Sequence, residues 1–176
     1  TNTLSKIRTH TMRNLRYTLL SFIVAATAML PGHLSAQIAL TNDTDGAAFA
    51  LVADGRAAAI AIDGSDAEVV TTAAAMLSSD IEAVSGLKPA LTDTPSGTAV
   101  IAGTIGQSKF IDKLIADGKL DASAVAGKWE AFGLQVVDHP TDGTSKALVA
   151  YGSTPRGTAY ALLEVSRIIG VSPYIW

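Results

Sequence analysis

The 176-residue sequence has no cysteine, and only one of its three histidines, His139, lies beyond residue 36. Without cysteine the chain has no disulfide framework and no thiol nucleophile, so its stability depends on a hydrophobic core. A single imidazole, between Asp138 and Pro140 in a predicted turn, argues against a histidine-based zinc site and against a Ser-His-Asp triad. His10 and His33 lie in or before the N-terminal leader described below. We therefore expect no metal and no other cofactor.

Acidic residues are absent from the first 36 positions, whereas four of the 13 basic residues lie there. The remaining 140 residues carry nine basic and 16 acidic residues, so this part has a net charge of −7 and the whole chain −3. With 48% hydrophobic and 16% charged residues, the composition is that of a folded globular domain. It favours neither a disordered chain nor nucleic-acid binding.

The start of the chain has the pattern of a secretory signal peptide, which we place at Met12 to Ala36. Met12–Arg16 is basic, Tyr17–Leu30 is an apolar run of 14 residues, and Leu34–Ala36 supplies small residues before the expected cleavage site. The apolar run is shorter than the roughly 20 residues that a membrane-spanning helix needs. We expect a secreted or periplasmic product that has no membrane association after cleavage.

Beyond the leader, the hydrophobic pattern alternates between strand and helix spacing. The predicted strands are Phe49–Val52, Ala57–Ile62, Lys88–Leu91, Ala99–Ala102, Trp129–Val137 and Lys146–Tyr151. The three predicted helices carry apolar stripes formed by Val70, Ala74, Leu77, Ile81 and Val84, by Phe110, Ile111, Leu114 and Ile115, and by Ala161, Leu162, Val165, Ile168 and Ile169. The order ββαββαββα predicts an α/β (α+β) domain, in which two to three helices pack on a mixed β-sheet.

Polar and glycine residues mark the ends of these elements. Asp66 and Thr154 are predicted N-caps, and Gly86 and Gly170 are predicted helix stops. The turn Asp54-Gly55 predicts that the first two strands form a hairpin, and a second hairpin is expected for the last two strands.

Two glycine turns connect a predicted strand to a helix, but neither carries a complete nucleotide motif. Gly152–Thr158 lacks the lysine that follows the second glycine of a P-loop. Gly103–Ser108 lacks the third glycine and the later acidic residue of a dinucleotide fingerprint. We interpret both as structural turns, with Arg156 at the surface or bridging to a neighbour, and expect no nucleotide binding.

Carboxylates and aromatic rings remain as candidates for sugar chemistry. The acidic residues most able to meet in space, mainly at turns and caps, are Asp54, Asp63, Asp66, Glu130 and Glu164. Of the four aromatic residues that could stack on sugars, we expect Trp129 and Tyr160 in the core, while Tyr174 and Trp176 stay open as stacking residues. None of these residues is assigned a catalytic, substrate-binding or metal-binding role.

Several motifs together resemble the N-terminal domain of glycoside hydrolase family 115, the xylan α-glucuronidases. The resemblance covers about residues 49–176 and depends on the combination of motifs and on their order. The motifs are Leu51–Arg56, Val100–Gly106, Gly127–Phe132, Gly152–Tyr160 and Gly170–Pro173. The chain departs from the family after Pro173, where the family continues with several aromatic residues and an Ala-Asp-Val-Pro segment.

The resemblance implies an exported enzyme that removes (4-O-methyl-)glucuronic acid from glucuronoxylan by inverting hydrolysis. In this family the catalytic groups are thought to lie in a (β/α)8 barrel that follows the domain, so the fragment itself is expected to be inactive. The domain would pack against that barrel, with Tyr174 and Trp176 at the junction. Polysaccharide binding would belong to the barrel, and a homodimer would form through parts outside this chain.

The expected organisation has four segments. Upstream residues and the signal peptide form residues 1–36, and a short N-terminal segment forms residues 37–48. The α/β accessory domain spans residues 49–171, and residues 172–176 begin the junction to the catalytic barrel. The alternative interpretation is a free-standing exported module for carbohydrate binding or adhesion, which a reading frame ending close after Trp176 would favour.

The leader prediction can be tested on the exported product. We expect mass spectrometry to find Gln37 as its first residue, because Leu34–Ala36 meets the small-residue requirement of signal cleavage. Residues 1–11 precede the expected initiator Met12, so a secreted product that begins at Thr1 would contradict this interpretation.

Overall fold

The computed structural model describes residues 48–171. The chain divides into two units, Thr1–Gln37 and Ile38–Trp176, and all described residues belong to the second unit. The predicted signal peptide lies outside the described residues, as do the predicted junction and its Tyr174 and Trp176. The signal peptide and the junction therefore remain predictions.

The described residues form a mixed α/β domain, as the sequence pattern predicted. Its strands are β1 (Val52–Ala53), β2 (Arg56–Ala57), β3 (Ala59–Ile62), β4 (Leu91–Thr92), β5 (Gly97–Thr104), β6 (Phe132–Asp138) and β7 (Thr144–Gly152). Its helices are α1 (Glu68–Ser85), α2 (Lys109–Ala116) and α3 (Pro155–Ile168). The element order agrees with the prediction except that the second predicted strand is interrupted at Ala58.

The interruption at Ala58 separates a hairpin from the main sheet. β1 and β2 pair antiparallel around Asp54 and Gly55, whose φ angles of 51° and 70° suit a tight hairpin turn. β3 instead pairs with strands of the main sheet, where three of its four residues are buried. The predicted opening hairpin is therefore present, but its first strand begins at Val52 rather than Phe49 and its second strand ends at Ala57 rather than Ile62.

The main sheet has five strands in the order β4-β3-β5-β7-β6. β3 is parallel to β4 and β5, β5 is parallel to β7, and β6 is antiparallel to β7. The predicted final hairpin is thus confirmed as β6–β7. The sequences of β3, β5 and β7 are largely apolar because both faces of these inner strands are covered.

Alternate residues along the inner strands supply two separate cores. Val100 and Ala102 of β5 face the core formed with α1 and α3. Ile101, between them, faces the core formed with α2 and with Leu120, Ala122 and Val125. Helices therefore cover both faces of the sheet.

Helix α1 buries the predicted stripe of Val70, Ala74, Leu77 and Ile81 and ends at the predicted Gly86, whose φ is 74°, but its start differs from the prediction. Its N-cap is Ala67, which makes no side-chain cap hydrogen bond, so the predicted cap at Asp66 is wrong. Val84, which the predicted stripe also contains, is 58% exposed and does not belong to the buried face.

Helix α3 begins as its sequence predicts. The Thr154 side chain accepts a hydrogen bond from the Gly157 N–H, and Pro155 occupies the first turn, where no partner for its nitrogen is needed. Gly170 follows the helix with a φ of 94°, which is the left-handed geometry expected of a glycine stop.

Two aromatic residues predicted in the core lie at the surface instead. Trp129 is 85% exposed and Tyr160 39% exposed. Trp129 precedes β6, which begins at Phe132 rather than at 129, because Glu130 has a left-handed φ of 45° that no strand accommodates. Tyr160 lies on the outer face of α3.

The end of β7 requires glycine because α3 begins against it. A Cβ on Gly152 would overlap the backbone nitrogen of Thr158 and lie 2.5 Å from the carbonyl carbon of Gly157. Backbone atoms cannot rotate away as a flexible side chain can, so only a residue without Cβ allows this approach.

We expect Gly152→Ala to lower the free energy of unfolding by about 3 kcal/mol, since the methyl group must displace the first turn of α3. Gly64→Ala is the matched control, because a Cβ there meets no atom within 4 Å and Gly64 has no left-handed φ. Urea denaturation measures both. Equal stability of the two variants would contradict the close approach.

Candidate functional site

The carboxyl ends of β3, β5 and β7 lie at one edge of the sheet, and each strand is followed by a loop and a helix. From β3 the chain passes through α1 to β4 on one side, whereas from β5 it passes through α2 to β6 and then β7 on the other. Adjacent strands whose connections diverge in this way form a crevice, which is where open α/β sheets bind ligands. The gap between the ends of β3 and β5 is therefore the candidate ligand crevice of this fold.

Asp63, directly after β3, is buried in this gap, and its carboxylate is fully engaged. One carboxylate oxygen accepts hydrogen bonds from the Ser65 N–H at 3.0 Å and the Ser65 hydroxyl at 2.8 Å. The other accepts from the Lys109 N–H at 2.7 Å, at the first residue of α2. Ser108, the N-cap of α2, makes no side-chain cap bond, so Asp63 supplies the cap from 46 residues away.

Two opposing effects set the pKa of Asp63. Burial raises the pKa, but hydrogen bonds from the N–H groups of Ser65 and Lys109 and from the Ser65 hydroxyl, with the Lys109 ammonium at 4.0 Å, outweigh it. The net result is a pKa below the ordinary aspartate value, so the carboxylate is ionised at neutral pH. It acts as an acceptor that joins two loops.

Asp66 makes a second link across the same gap. One of its oxygens accepts from the Thr104 N–H at 2.7 Å, at the end of β5, and the other accepts from the Ala67 N–H at 2.8 Å. The predicted capping role is replaced by this longer-range bond. The carboxylates of Asp63 and Asp66 therefore occupy the crevice between β3 and β5.

The glycine turn at Gly103–Ser108 is closed by protein groups. The Gly106 N–H donates to the Asp112 carboxylate at 2.7 Å, and the Ser108 N–H donates to the Thr104 carbonyl at 2.9 Å. A Cβ on Gly103 would overlap the side chain of Ser108, whose buried hydroxyl has no hydrogen-bond partner within residues 48–171. The groups of this turn therefore bond and pack within the domain, which agrees with its interpretation as a structural turn.

The turn at Gly152–Thr158 is also bonded internally. The Gly157 N–H donates to the Thr154 hydroxyl, and the Thr158 N–H donates to the Thr154 carbonyl at 3.0 Å. The buried hydroxyls of Thr104 and Thr158 lie 2.9 Å apart, which ties this turn to the end of β5. The N–H groups of Gly157 and Thr158, which would face a phosphate in a P-loop, are thus paired within the domain.

The remaining candidate carboxylates lie in separate settings. Asp54 is a hairpin turn residue with a left-handed φ. Glu130 forms an ion pair with Arg156 at 2.9 Å, and Glu164 forms a two-pronged pair with Arg167. Of the five candidate carboxylates, only Asp63 and Asp66 lie in the same crevice. Both accept hydrogen bonds from backbone N–H groups and so stabilise the fold. His139, also a left-handed turn residue, is exposed.

One feature of this edge was missed by the sequence analysis. Residues 127–131, which we name the Trp129 loop, lie against the turn between β7 and α3. The Ser153 hydroxyl donates to the carbonyls of Lys128 at 2.6 Å and Ala131 at 3.1 Å, and the Ser153 N–H donates to Ala131 at 2.9 Å. The ion pair of Glu130 with Arg156 adds a fourth contact. The loop holds Trp129 in solvent.

Two motifs on which the family resemblance depends therefore meet in space. Gly127–Phe132 contains the Trp129 loop, and Gly152–Tyr160 contains the turn that holds it. A Cβ on Gly157 would lie 2.6 Å from the Ala131 carbonyl oxygen, so the backbones themselves are in contact. Gly127 and the following Lys-Trp-Glu sequence could have indicated a loop. The apolar alternation from Phe132 onward instead led to a predicted strand that began three residues too early, at Trp129.

Within residues 48–171, no group of three or more histidine, cysteine, aspartate or glutamate side chains is placed to hold a metal ion. The helices in this part of the chain are too short or too polar to cross a membrane.

We expect Asp63→Asn to lower the free energy of unfolding by about 1–3 kcal/mol, because the amide cannot accept from both loops as a carboxylate does. Since the folded pKa lies below the unfolded value of about 3.9, the wild-type carboxylate stabilises the fold above that pH. This stabilisation is lost as the pH falls through the folded pKa.

The stability difference between wild type and Asp63→Asn should therefore shrink on acidification, as measured by urea denaturation between neutral pH and pH 3. Asp142→Asn is the control, because that carboxylate is exposed in the β6–β7 turn. A difference that stayed constant with pH would contradict the role of the ionised Asp63.

No protein-family model and no curated protein matches this chain. Among solved structures, one that matches is described as a novel family GH115 4-O-methyl-alpha-glucuronidase with specificity for decorated arabinogalactans. The match has a TM-score of 0.55 and 42% sequence identity, and it covers 69% of this chain and 14% of that protein. The α/β fold of this chain is thus similar to a small part of a glycoside hydrolase of this family, which supports a relationship at the level of one domain.

Proposed function

We propose that this chain is the N-terminal accessory domain of an exported glycoside hydrolase of the family 115 type. The observation that carries the proposal is 42% identity to a family GH115 glucuronidase over 69% of this chain. Identity of that size supports common descent of the domain rather than convergence on a common fold. The meeting of the Trp129 loop with the β7–α3 turn adds support, because two of the resembling motifs make a single contact.

The accessory role follows from what the candidate acids do here. Inverting hydrolysis needs two carboxyl groups about 6.5–9.5 Å apart with a water between them. Asp63 and Asp66 are engaged by backbone N–H groups, and Glu130 and Glu164 by arginines. The catalytic pair therefore lies, in this proposal, in a barrel that follows the domain, and the domain packs against that barrel.

The proposed reaction of the full protein is release of (4-O-methyl-)glucuronic acid from glucuronoxylan. The matched structure is described as a 4-O-methyl-alpha-glucuronidase with specificity for decorated arabinogalactans, which supports a uronic acid as the released sugar. Export through the leader at Met12 to Ala36 would place the enzyme with such polysaccharides. The proposed homodimer would form through parts outside this chain.

The test compares two products of the same reading frame on glucuronoxylan. We expect the product that extends past Trp176 to release glucuronic acid and residues 37–176 alone to release none, because the latter lacks the catalytic pair. Release is measured by chromatography of the acid sugar, with decorated arabinogalactan as a second substrate. Turnover by residues 37–176 would refute the accessory role. An extended product inactive on both substrates would refute the proposed activity.

A further inference from the structure

Within residues 48–171, the large exposed aromatic side chains are those of Trp129, Phe132 and Tyr160. Arg156, Tyr160 and Leu163 follow one face of α3, because their spacings of four and three residues keep them on adjacent turns. Arg156 contacts Glu130 of the Trp129 loop, and its guanidinium lies 3.4 Å from the Tyr160 hydroxyl. We name this region the Trp129 surface and define it by Trp129, Phe132, Arg156, Tyr160 and Leu163.

Four of the five side chains that define this surface are large, apolar or aromatic, and exposed to solvent. Trp129 is 85% exposed, and Phe132, Tyr160 and Leu163 are each 39% exposed. Phe132 lies on the same face of β6 as Leu134 and Val136, which pack against the core under α3. The surface therefore continues from the helix across to the edge of the sheet.

The backbone of the Trp129 loop is held against the turn between β7 and α3. Three hydrogen bonds from Ser153 and the Glu130–Arg156 ion pair fix the loop. Glu130 also keeps a left-handed φ, which costs about 1 kcal/mol in a residue with a side chain. A loop whose backbone is already fixed loses less entropy on binding, and tryptophan, tyrosine and arginine are the residues that dominate interfaces.

The neighbouring strand β6 has few of the features that usually protect a sheet edge. It runs for seven residues in regular register with β7, and within residues 48–171 no strand pairs with its other side. It contains no proline or lysine, and its one charged residue, Asp138, is the last. Edge strands of monomeric proteins are normally short, charged or bulged. β4, at the opposite edge, is only two residues long.

The charges around this surface favour an apolar protein partner over an acidic polysaccharide. The guanidinium of Arg156 is paired with Glu130, and that of Arg167, one turn beyond Leu163, is paired with Glu164. Neither arginine needs an external anion to balance its charge. A neutral surface with aromatic anchors is typical of interfaces between domains.

We propose that the Trp129 surface and the open edge of β6 are where the rest of the longer glycosidase packs on this domain. This inference rests on the proposed function, and it identifies which face of the domain is buried. This chain covers 14% of the matched glucuronidase, so a protein of that length has a large remaining part that could cover the Trp129 surface.

The test is hydroxyl-radical footprinting of the 176-residue chain and of the product that extends past Trp176. We expect labelling of Trp129 to fall about fivefold in the extended product, because interface cores are packed as densely as protein interiors. Met76, 51% exposed on α1, is the internal control and should label equally in both proteins. Equal labelling of Trp129 in both proteins would overturn the proposal. Protection that requires added oligosaccharide would overturn it too, in favour of a sugar-stacking site.

A pair of variants in the extended protein gives a second readout. Trp129→Ala should raise the rate of proteolytic release of the domain about tenfold, because loss of an aromatic anchor weakens an interface strongly. Val84→Ala, which removes a 58% exposed side chain from α1, should leave that rate unchanged. Equal release rates would contradict the proposal. In the 176-residue chain, both variants should keep wild-type stability, since both side chains are exposed.

Glucuronic acid release by the same extended protein separates the two proposals. An active protein with an unprotected Trp129 would refute only the docking surface. A protein with a protected Trp129 and no release would refute only the proposed activity.

Discussion

The fold depends on how the N–H groups at the ends of its parallel strands are satisfied. A β-α unit leaves donors at each helix N-terminus and at each strand end, and burying them without partners is costly. Here Asp63 reaches the first residue of α2, and Asp66 reaches the last residue of β5. The same two carboxylates fill the crevice where related architectures receive a ligand. The arrangement stabilises the edge and leaves its donors paired within the protein.

The Trp129 loop gives the family resemblance a physical basis. Motifs about 25 residues apart in sequence become one contact, made through Ser153, the Glu130–Arg156 ion pair and the close approach of Gly157 to Ala131. None of these contacts does chemistry. The resemblance thus reflects how the domain is built and which surface it presents, which is consistent with a part whose activity would lie elsewhere in a longer protein.

The sequence predicted the elements whose pattern follows from local burial. Val70, Ala74, Leu77 and Ile81 recur at helical spacing because one side of α1 meets the sheet, and Thr154 caps α3 through a bond three residues away. Predictions failed where a distant partner decides the outcome. Asp66 looks like a cap, but Thr104 competes for its carboxylate. Trp129 looks like a core residue, but the left-handed Glu130 ends the strand before reaching it.

The contact between Gly157 and the Ala131 carbonyl also limits how this domain can change over evolutionary time. Because main-chain atoms form it, neither segment can absorb an inserted or deleted residue by repacking side chains. Length variation should accumulate instead in loops such as residues 93–96, which connect β4 to β5. The segments around Ala131 and Gly157 are therefore expected to keep a constant number of residues. An insertion in one segment would need a compensating change in the other to preserve the contact.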